Sequence, residues 1–263
     1  MIIPLSINWN LNPEIFPLGP FSVRWYGLLF AAAIYLGFVI IEKMFKKEGH
    51  NQVIIDRLAF YTVVGLILGA RLGHCFFYEP EFYLAHPLEI LKIWHGGLAS
   101  HGAAIGIITA LILFSKKSKL NFFYVLDRIV VVVALGGFFV RMGNLMNSEI
   151  YGIVTDLPWG FVFLQNHETL PKHPTQIYEA LAYLLIFIFL FKLYKKGVGK
   201  MANGNLFGWF LILVFGVRFF VEFIKNDQVA FEQTMALNMG QWLSIPFVLI
   251  GLGILLYNNS KKK

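Results

Sequence analysis

The stretch Ile129-Val-Val-Val-Val-Ala-Leu-Gly-Gly-Phe-Phe-Val140 runs straight into Arg141-Met-Gly-Asn-Leu-Met-Asn-Ser-Glu-Ile-Tyr-Gly152. The apolar run, counted from Phe122, is long enough to cross most of a bilayer, which takes about 20 residues of helix. Arginine, two asparagines and a glutamate then arrive together, with glycines at both ends. An arginine at the edge of hydrocarbon costs about 3 kcal/mol on insertion scales unless it is paired or reaches water. Arg141 therefore needs a partner. Glu149 meets that need, and so does an anionic substrate.

Composition agrees with the reading of this one stretch. Hydrophobic residues make up 57% of the 263, charged residues 14%, and the mean hydropathy is +0.65. Soluble domains carry about 25% charged residues, so the chain reads as an all-α integral membrane protein. A lone cysteine, Cys75, excludes an internal disulfide and a cysteine-built metal cage. No basic segment with a cleavage site opens the sequence, and no removable signal peptide is expected.

Apolar runs near 22–41, 53–77, 97–115, 122–146, 177–194, 205–224 and 240–257 predict about seven transmembrane helices in a single polytopic domain, 1–263. Gly96, Gly97, Gly102 and Gly106 leave 97–115 open to a re-entrant reading. Lysines set the orientation. Lys43, Lys46 and Lys47, then Lys116, Lys117 and Lys119, then Lys192, Lys195, Lys196 and Lys200, and finally Lys261, Lys262 and Lys263 follow alternate spans. The other connections hold Lys92, Lys172 and Lys225. Thirteen against three places the first set in the cytoplasm, the N-terminus outside and the C-terminus inside. The same asymmetry accounts for the +7 formal charge, with no nucleic acid implied.

Outside the spans lie two segments. Residues 1–21, with Pro4, Pro13, Pro17, Pro20, Trp9 and Phe16, form an external segment that either lies on the interface or is a mobile tail. The long external loop 147–175, with Asp156, Trp159, Phe161 and Phe163, either caps a site or leans on the interface.

Arg71 follows Arg57 by fourteen residues and Arg141 follows Arg128 by thirteen, about 20 Å of helix from the inner surface. The two stretches, Gly69-Ala-Arg71-Leu-Gly73 and Arg141-Met-Gly143, form a weak internal echo. By this depth count Arg71, Arg141, Arg218, His101, Tyr26, Glu149 and Glu179 fall in one layer at the outer leaflet. Every arginine (Arg24, Arg57, Arg71, Arg128, Arg141, Arg218) belongs to a span or its end, and a guanidinium offers the fork of donors that phosphate accepts. A phospholipid head group suits such a cluster. The bland alternatives stand beside it. Arg141 and Arg218 form buried ion pairs with Glu149 and Glu222, Arg71 braces the helices, and His101 is a packing histidine. Arg57 and Arg128 each follow an aspartate and are explained by local pairing. His74, His95 and His173 lack the spacing of metal ligands. A transporter or flippase for an anionic lipid or solute, or a receptor-like binding protein, would use the same arginines without chemistry. The near absence of charge between the inner ends of the spans and the outer cluster disfavours transport.

Seven blocks in order carry a resemblance to the bacterial prolipoprotein diacylglyceryl transferase family. Arg141–Gly152 resembles its signature G-R-x-G-N-F-x-N-x-E-x-x-G. The others are Arg24-Trp-Tyr-Gly27, Gly69-Ala-Arg-Leu-Gly73, Gly96-Gly-Leu-Ala-Ser-His-Gly102, His173-Pro-Thr-Gln-Ile-Tyr-Glu179, Arg218-Phe-Phe-Val-Glu222 and Met239-Gly-Gln-Trp-Leu-Ser-Ile-Pro246. Val140 and Leu145 depart from the signature, Ala103 stands where the family has a second glycine after the histidine, and Val214 replaces a tyrosine often found there.

The resemblance implies transfer of the diacylglyceryl group of phosphatidylglycerol to the lipobox cysteine thiol of a preprolipoprotein signal peptide, forming a thioether and releasing glycerol phosphate. It implies an enzyme of the bacterial inner membrane, multi-pass, acting at the outer leaflet among membrane lipids, with no cofactor and no metal. His101, Arg141 and Arg218 are then the expected catalytic residues. Arg141, Asn144, Glu149, Gly152, Tyr26, Arg71 and Arg218 are expected around the head group, with Glu179 and Glu222 in support.

Overall fold

The computed structural model describes residues 6–19, 21–92, 96–97, 99–197, 201–226 and 235–261. Pro4, Pro20, His95, Leu98, Lys200, Lys262 and Lys263 lie outside these. The chain is mostly helical and divides into two compact units, one of residues 1–40 with 127–263 and one of residues 41–126.

Among the described residues six helices are long and apolar enough to cross a membrane. They are α1 (Trp25–Lys47), α2 (Gln52–Phe77), α5 (Phe122–Met146), α6 (Thr175–Gly197), α7 (Asn205–Val221, continued by a 3-10 turn over Glu222–Ile224) and α8 (Met239–Ser260). The expected span 97–115 forms a helix shifted three residues on, α4 (Ser100–Ser118), which is not among the six. Polar ends explain this: Ser100-His101 opens the helix and Ser115-Lys116-Lys117-Ser118 closes it, which confines the apolar part to Gly102–Phe114. A short helix, α3 (Pro80–Ala85), and a 3-10 turn over Pro87–Leu91 lie between α2 and α4.

In the second unit α2 packs on α4 through small residues. A methyl group on Gly69 would meet Gly102 O and come within 2.7 Å of Gly106 Cα, and one on Gly65 would lie 2.6 Å from Ala110 Cβ. Backbones of membrane helices approach this closely where side chains are absent. Asn51 caps α2 by accepting from Ile54 N at 3.1 Å. Arg71 is buried, and its guanidinium donates to four backbone carbonyls: Ile90 O (2.9 Å), Gly96 O (2.6 Å), Gly97 O (3.3 Å) and Glu89 O (2.6 Å). It also lies 5.0 Å from the centre of the Tyr83 ring. Ala99 N donates to Ala70 O at 2.9 Å, so the connection into α4 is held to α2 by side chain and backbone together. His101 sits exposed in the first turn of α4.

In the first unit the described part of the N-terminal segment, from Ser6 on, is no free tail. β1 (Ser6–Trp9) pairs in parallel with β4 (Gly160–Phe163) of the long loop, Ser6 opposite Gly160. β2 (Glu14–Leu18) and β3 (Phe21–Arg24) form an antiparallel pair. Glu14 is held below the usual carboxylate range by hydrogen bonding from Ser22 and by Arg24, its 3.0 Å ion-pair partner. Leu145, Phe161 and Phe163 make a small core against which Trp9, Met142, Met146, Tyr151 and Ile177 pack, and Trp9 Nε1 donates to Leu145 O at 3.1 Å. The loop is thereby fixed to the end of α5. Helix α7 begins on a borrowed cap: Asp127 of α5 accepts from Gly204 N and Phe207 N, both at 2.8 Å. Asp127 suits this place because a helix N-terminus leaves donors unpaired and favours negative charge.

Candidate functional site

The polar stretch that ends α5 is organised by hydrogen bonds on every side. Asn144 accepts from Arg141 Nη1 (3.2 Å) and donates to Glu149 Oε1 (2.8 Å), which also accepts from Asn147 (3.3 Å). Ser148 and Ile150, flanking Glu149, both adopt the left-handed backbone, φ 53° and 60°. For a β-branched residue this is a genuine outlier, and such strain persists only where the surroundings over-determine it. They do here. Asn166 donates to Ser148 O (2.6 Å), Gln176 to Glu149 O (2.7 Å) and Thr175 to Ile150 O (2.9 Å). Three successive carbonyls are thus each held by a side chain from elsewhere, two of them from the His173–Glu179 block. Glu149 is presented by a rigid turn.

Charges of alternating sign run on from Arg141. Its Nε lies 3.0 Å from Glu179 Oε2, and Glu179 on α6 is fully buried. Glu179 Oε1 lies 3.1 Å from Lys225 Nζ and accepts from the Tyr183 hydroxyl at 3.4 Å. The same Nζ lies 3.1 Å from Glu222 Oε1, and that oxygen lies 3.5 Å from Arg218 Nε. Asn238, the cap of α8, donates to Glu222 Oε2 at 3.2 Å. Glycines seat the large groups: a methyl on Gly137 would lie 2.8 Å from the Tyr183 ring, on Gly143 2.6 Å from the Tyr26 ring, and on Gly240 2.6 Å from the Glu222 carboxyl.

The fold thus gathers Arg141, Asn144, Glu149, Glu179, Arg218 and Glu222 and lays Tyr26 against α5. Arg141 has its ion pair with Glu179, while Glu149 reaches it through Asn144; Arg218 pairs with Glu222 as the i, i+4 spacing suggested. Gly152 is a close-approach position, where a methyl would meet Ile224 O and come within 2.7 Å of His173 Cβ. Arg71 and His101 belong to the second unit, in the settings given above. Lys225 and Tyr183 escaped the sequence reading. Lys225 counts there as one of three lone loop lysines, although its i+3 spacing from Glu222 was a usable signal.

The two guanidiniums differ in freedom. The Arg141 side chain is 15% exposed with partners on two nitrogens. The Arg218 side chain is 36% exposed, and among the described residues its Nε has no hydrogen-bond acceptor. Outside the spans, Tyr151 stacks on Phe163 (centroids 4.4 Å) and donates to Glu168 at 2.8 Å, and burial pushes its phenol up. Burial pushes His173 down. Chemically, the site presents a fixed guanidinium, a freer one and a buried charge chain holding both, which can take up an anion and stabilise charge leaving with it.

Comparison with known proteins matches residues 13–257 to the family described as Prolipoprotein diacylglyceryl transferase. The chain is 46% identical to the phosphatidylglycerol–prolipoprotein diacylglyceryl transferase of Tolumonas auensis, over 97% of this chain and 98% of that one. It is 46% identical to that of Chloroherpeton thalassium over 97% and 95%, and 45% identical to that of Bacteroides fragilis over 98% and 97%.

Proposed function

The chain belongs to the prolipoprotein diacylglyceryl transferase family, and from that premise we propose which of its groups do the work. The protein is a membrane transferase that moves the diacylglyceryl group of phosphatidylglycerol to a prolipoprotein, the first step of lipoprotein maturation. The acceptor is the lipobox cysteine of the signal peptide. Its sulfur attacks the glyceryl carbon that bears the phosphate. The S–C bond forms, the C–O bond breaks, and glycerol phosphate leaves with the electron pair.

Arg218 and Arg141 hold the phosphate and stabilise the charge it gains on leaving. The observation that carries this is the chain Arg141–Glu179–Lys225–Glu222–Arg218, which ends in a guanidinium on both sides. Asn144 and Glu149 orient Arg141, Tyr26 and Gly152 line or shape the head-group site, and Glu179 and Glu222 support the arginines. A free thiol has a pKa of about 8.5, so a base helps to form the nucleophile. His101 takes that role by the Gly96–Gly102 block. Arg71 is the clamp of the connection into α4, since its donors are already engaged by carbonyls.

The excess of lysines after alternate spans supports an external N-terminus, an inner-membrane location and a site at the outer leaflet. The family match, continuous from 13 to 257, supports one polytopic domain. The transport reading goes no further, because the relatives are named as transferases.

The test uses purified protein, phosphatidylglycerol vesicles and a synthetic lipobox peptide followed by mass spectrometry. A diacylglyceryl mass gain that requires both the peptide cysteine and Arg141 is expected. A gain that survives Arg141→Ala would remove Arg141 from the site, and near-normal turnover by His101→Gln would remove the base.

A further inference from the structure

We propose that Lys225 is a positioning residue for the two head-group arginines, seated by Gly152. The proposal rests on the phosphatidylglycerol reading above. Lys225 is 6% exposed, and its ammonium lies 3.1 Å from one oxygen of each of two carboxylates, Glu179 and Glu222. Those oxygens are therefore at most twice that distance apart. Each carboxylate also contacts one of the two guanidiniums, Arg141 on α5 and Arg218 on α7. One lysine thus joins the only links that hold both arginines through carboxylates among the described residues.

The charge count gives the lysine its effect. Arg141, Lys225 and Arg218 balance Glu179, Glu222 and Glu149, the last of which reaches Arg141 through Asn144. Without Lys225 three carboxylates face two arginines. The site is then net negative, which repels the lipid phosphate, and the facing carboxylates draw the guanidiniums inward in competition with it. Burial strengthens this competition, since water does not screen it.

The backbone shows how the lysine is brought there. Ile153 N donates to Ile224 O at 3.0 Å, Asn226 N to Tyr151 O at 3.4 Å, and Gly152 and Lys225 form a bridge between the two strands of chain. This approach is closed to any residue but glycine at 152, since a methyl there would meet Ile224 O itself. The last glycine of the Arg141–Gly152 stretch thereby serves the arginine at its start, through Lys225 and Glu179.

The test is steady-state kinetics of the full-length protein in mixed micelles, with phosphatidylglycerol varied at saturating lipobox peptide. Lys225→Met should raise the KM for phosphatidylglycerol by about tenfold or more. Gly152→Ala should move KM in the same direction. Lys225→Met/Glu222→Gln, which restores the charge balance of the unsubstituted site, should recover part of the affinity that the single variant loses. A purely structural lysine would make the double variant worse than the single one. The proposal is overturned by a folded Lys225→Met whose KM is unchanged, by a loss confined to kcat, or by a double variant weaker than Lys225→Met. If Lys225→Met does not fold, Lys225→Arg decides: retained affinity supports the proposal, and a folded Lys225→Arg weakened about tenfold overturns it. Absence of transfer by the unsubstituted protein would instead refute the transferase reading itself.

Discussion

Replacing Glu179 by Gln removes one charge and almost no volume. In the structure that charge is fully buried, 3.0 Å from Arg141 and 3.1 Å from Lys225. At an effective dielectric of about 20, unit charges about 4 Å apart attract by about 4 kcal/mol, so the two contacts gross about twice that. Desolvation offsets much of it, and breaking a buried pair by removing one partner costs about 3–5 kcal/mol. For a chain of this size that is a fall of roughly 6–20 °C in melting temperature. Glu149→Gln is the internal control. Glu149 accepts from two neutral amides, at 2.8 and 3.3 Å, and glutamine still offers an acceptor, so about 1 kcal/mol is at stake. Both variants are to be melted in the same detergent, with and without phosphatidylglycerol, and Glu179→Gln should also lose most of the stabilisation that the lipid confers. If Glu149→Gln melts as low as Glu179→Gln or lower, Glu149 is the principal partner of Arg141 and the charge chain described above is misassigned.

Three further outcomes follow from the same geometry. Arg71→Lys cannot reproduce a planar fork that reaches four carbonyls; limited proteolysis should cut faster around Glu89–Ile90, and an unchanged rate would argue that the clamp is unimportant. Asp127→Asn weakens the borrowed cap of α7 by about 1–2 kcal/mol, and should lower the melting temperature while leaving the KM for phosphatidylglycerol unchanged, because Arg218 lies at the other end of that helix. His173 has a folded pKa below its ordinary 6.5, so the unfolded chain binds its proton first. Its contribution is complete above about pH 6.5 and is lost as pH falls toward the folded pKa; melting of the unsubstituted protein should steepen below pH 6.5 relative to His173→Gln, and parallel curves would contradict this.

Much of this was legible before any coordinates. A helix in hydrocarbon must satisfy its own backbone and show an apolar exterior, so spans such as 53–77 and 122–146 announce themselves by composition alone and fall within a residue of α2 and α5 at their ends. α4 was blurred because its apolar part is short and its packing on α2 uses glycine, which carries no hydrophobic signal. The internal echo between Gly69–Gly73 and Arg141–Gly143 was legible too, yet it predicts nothing about chemistry. Arg71 is surrounded by carbonyls and Arg141 by a carboxylate and an amide.

The sequence by itself determined the class, the helices, the residue types at the site and the family. Composition and periodicity are local properties, and the motif blocks keep their order along the chain. Only the tertiary structure decided the partners. Arg141 and Glu179 are separated by a loop and lie on different helices, and Lys225, read along the chain as one more loop lysine, is drawn between Glu179 and Glu222 by a backbone contact at Gly152. Which charge faces which depends on distances through space. Coulombic attraction falls with that separation and grows with burial, and neither quantity is written in the order of the residues.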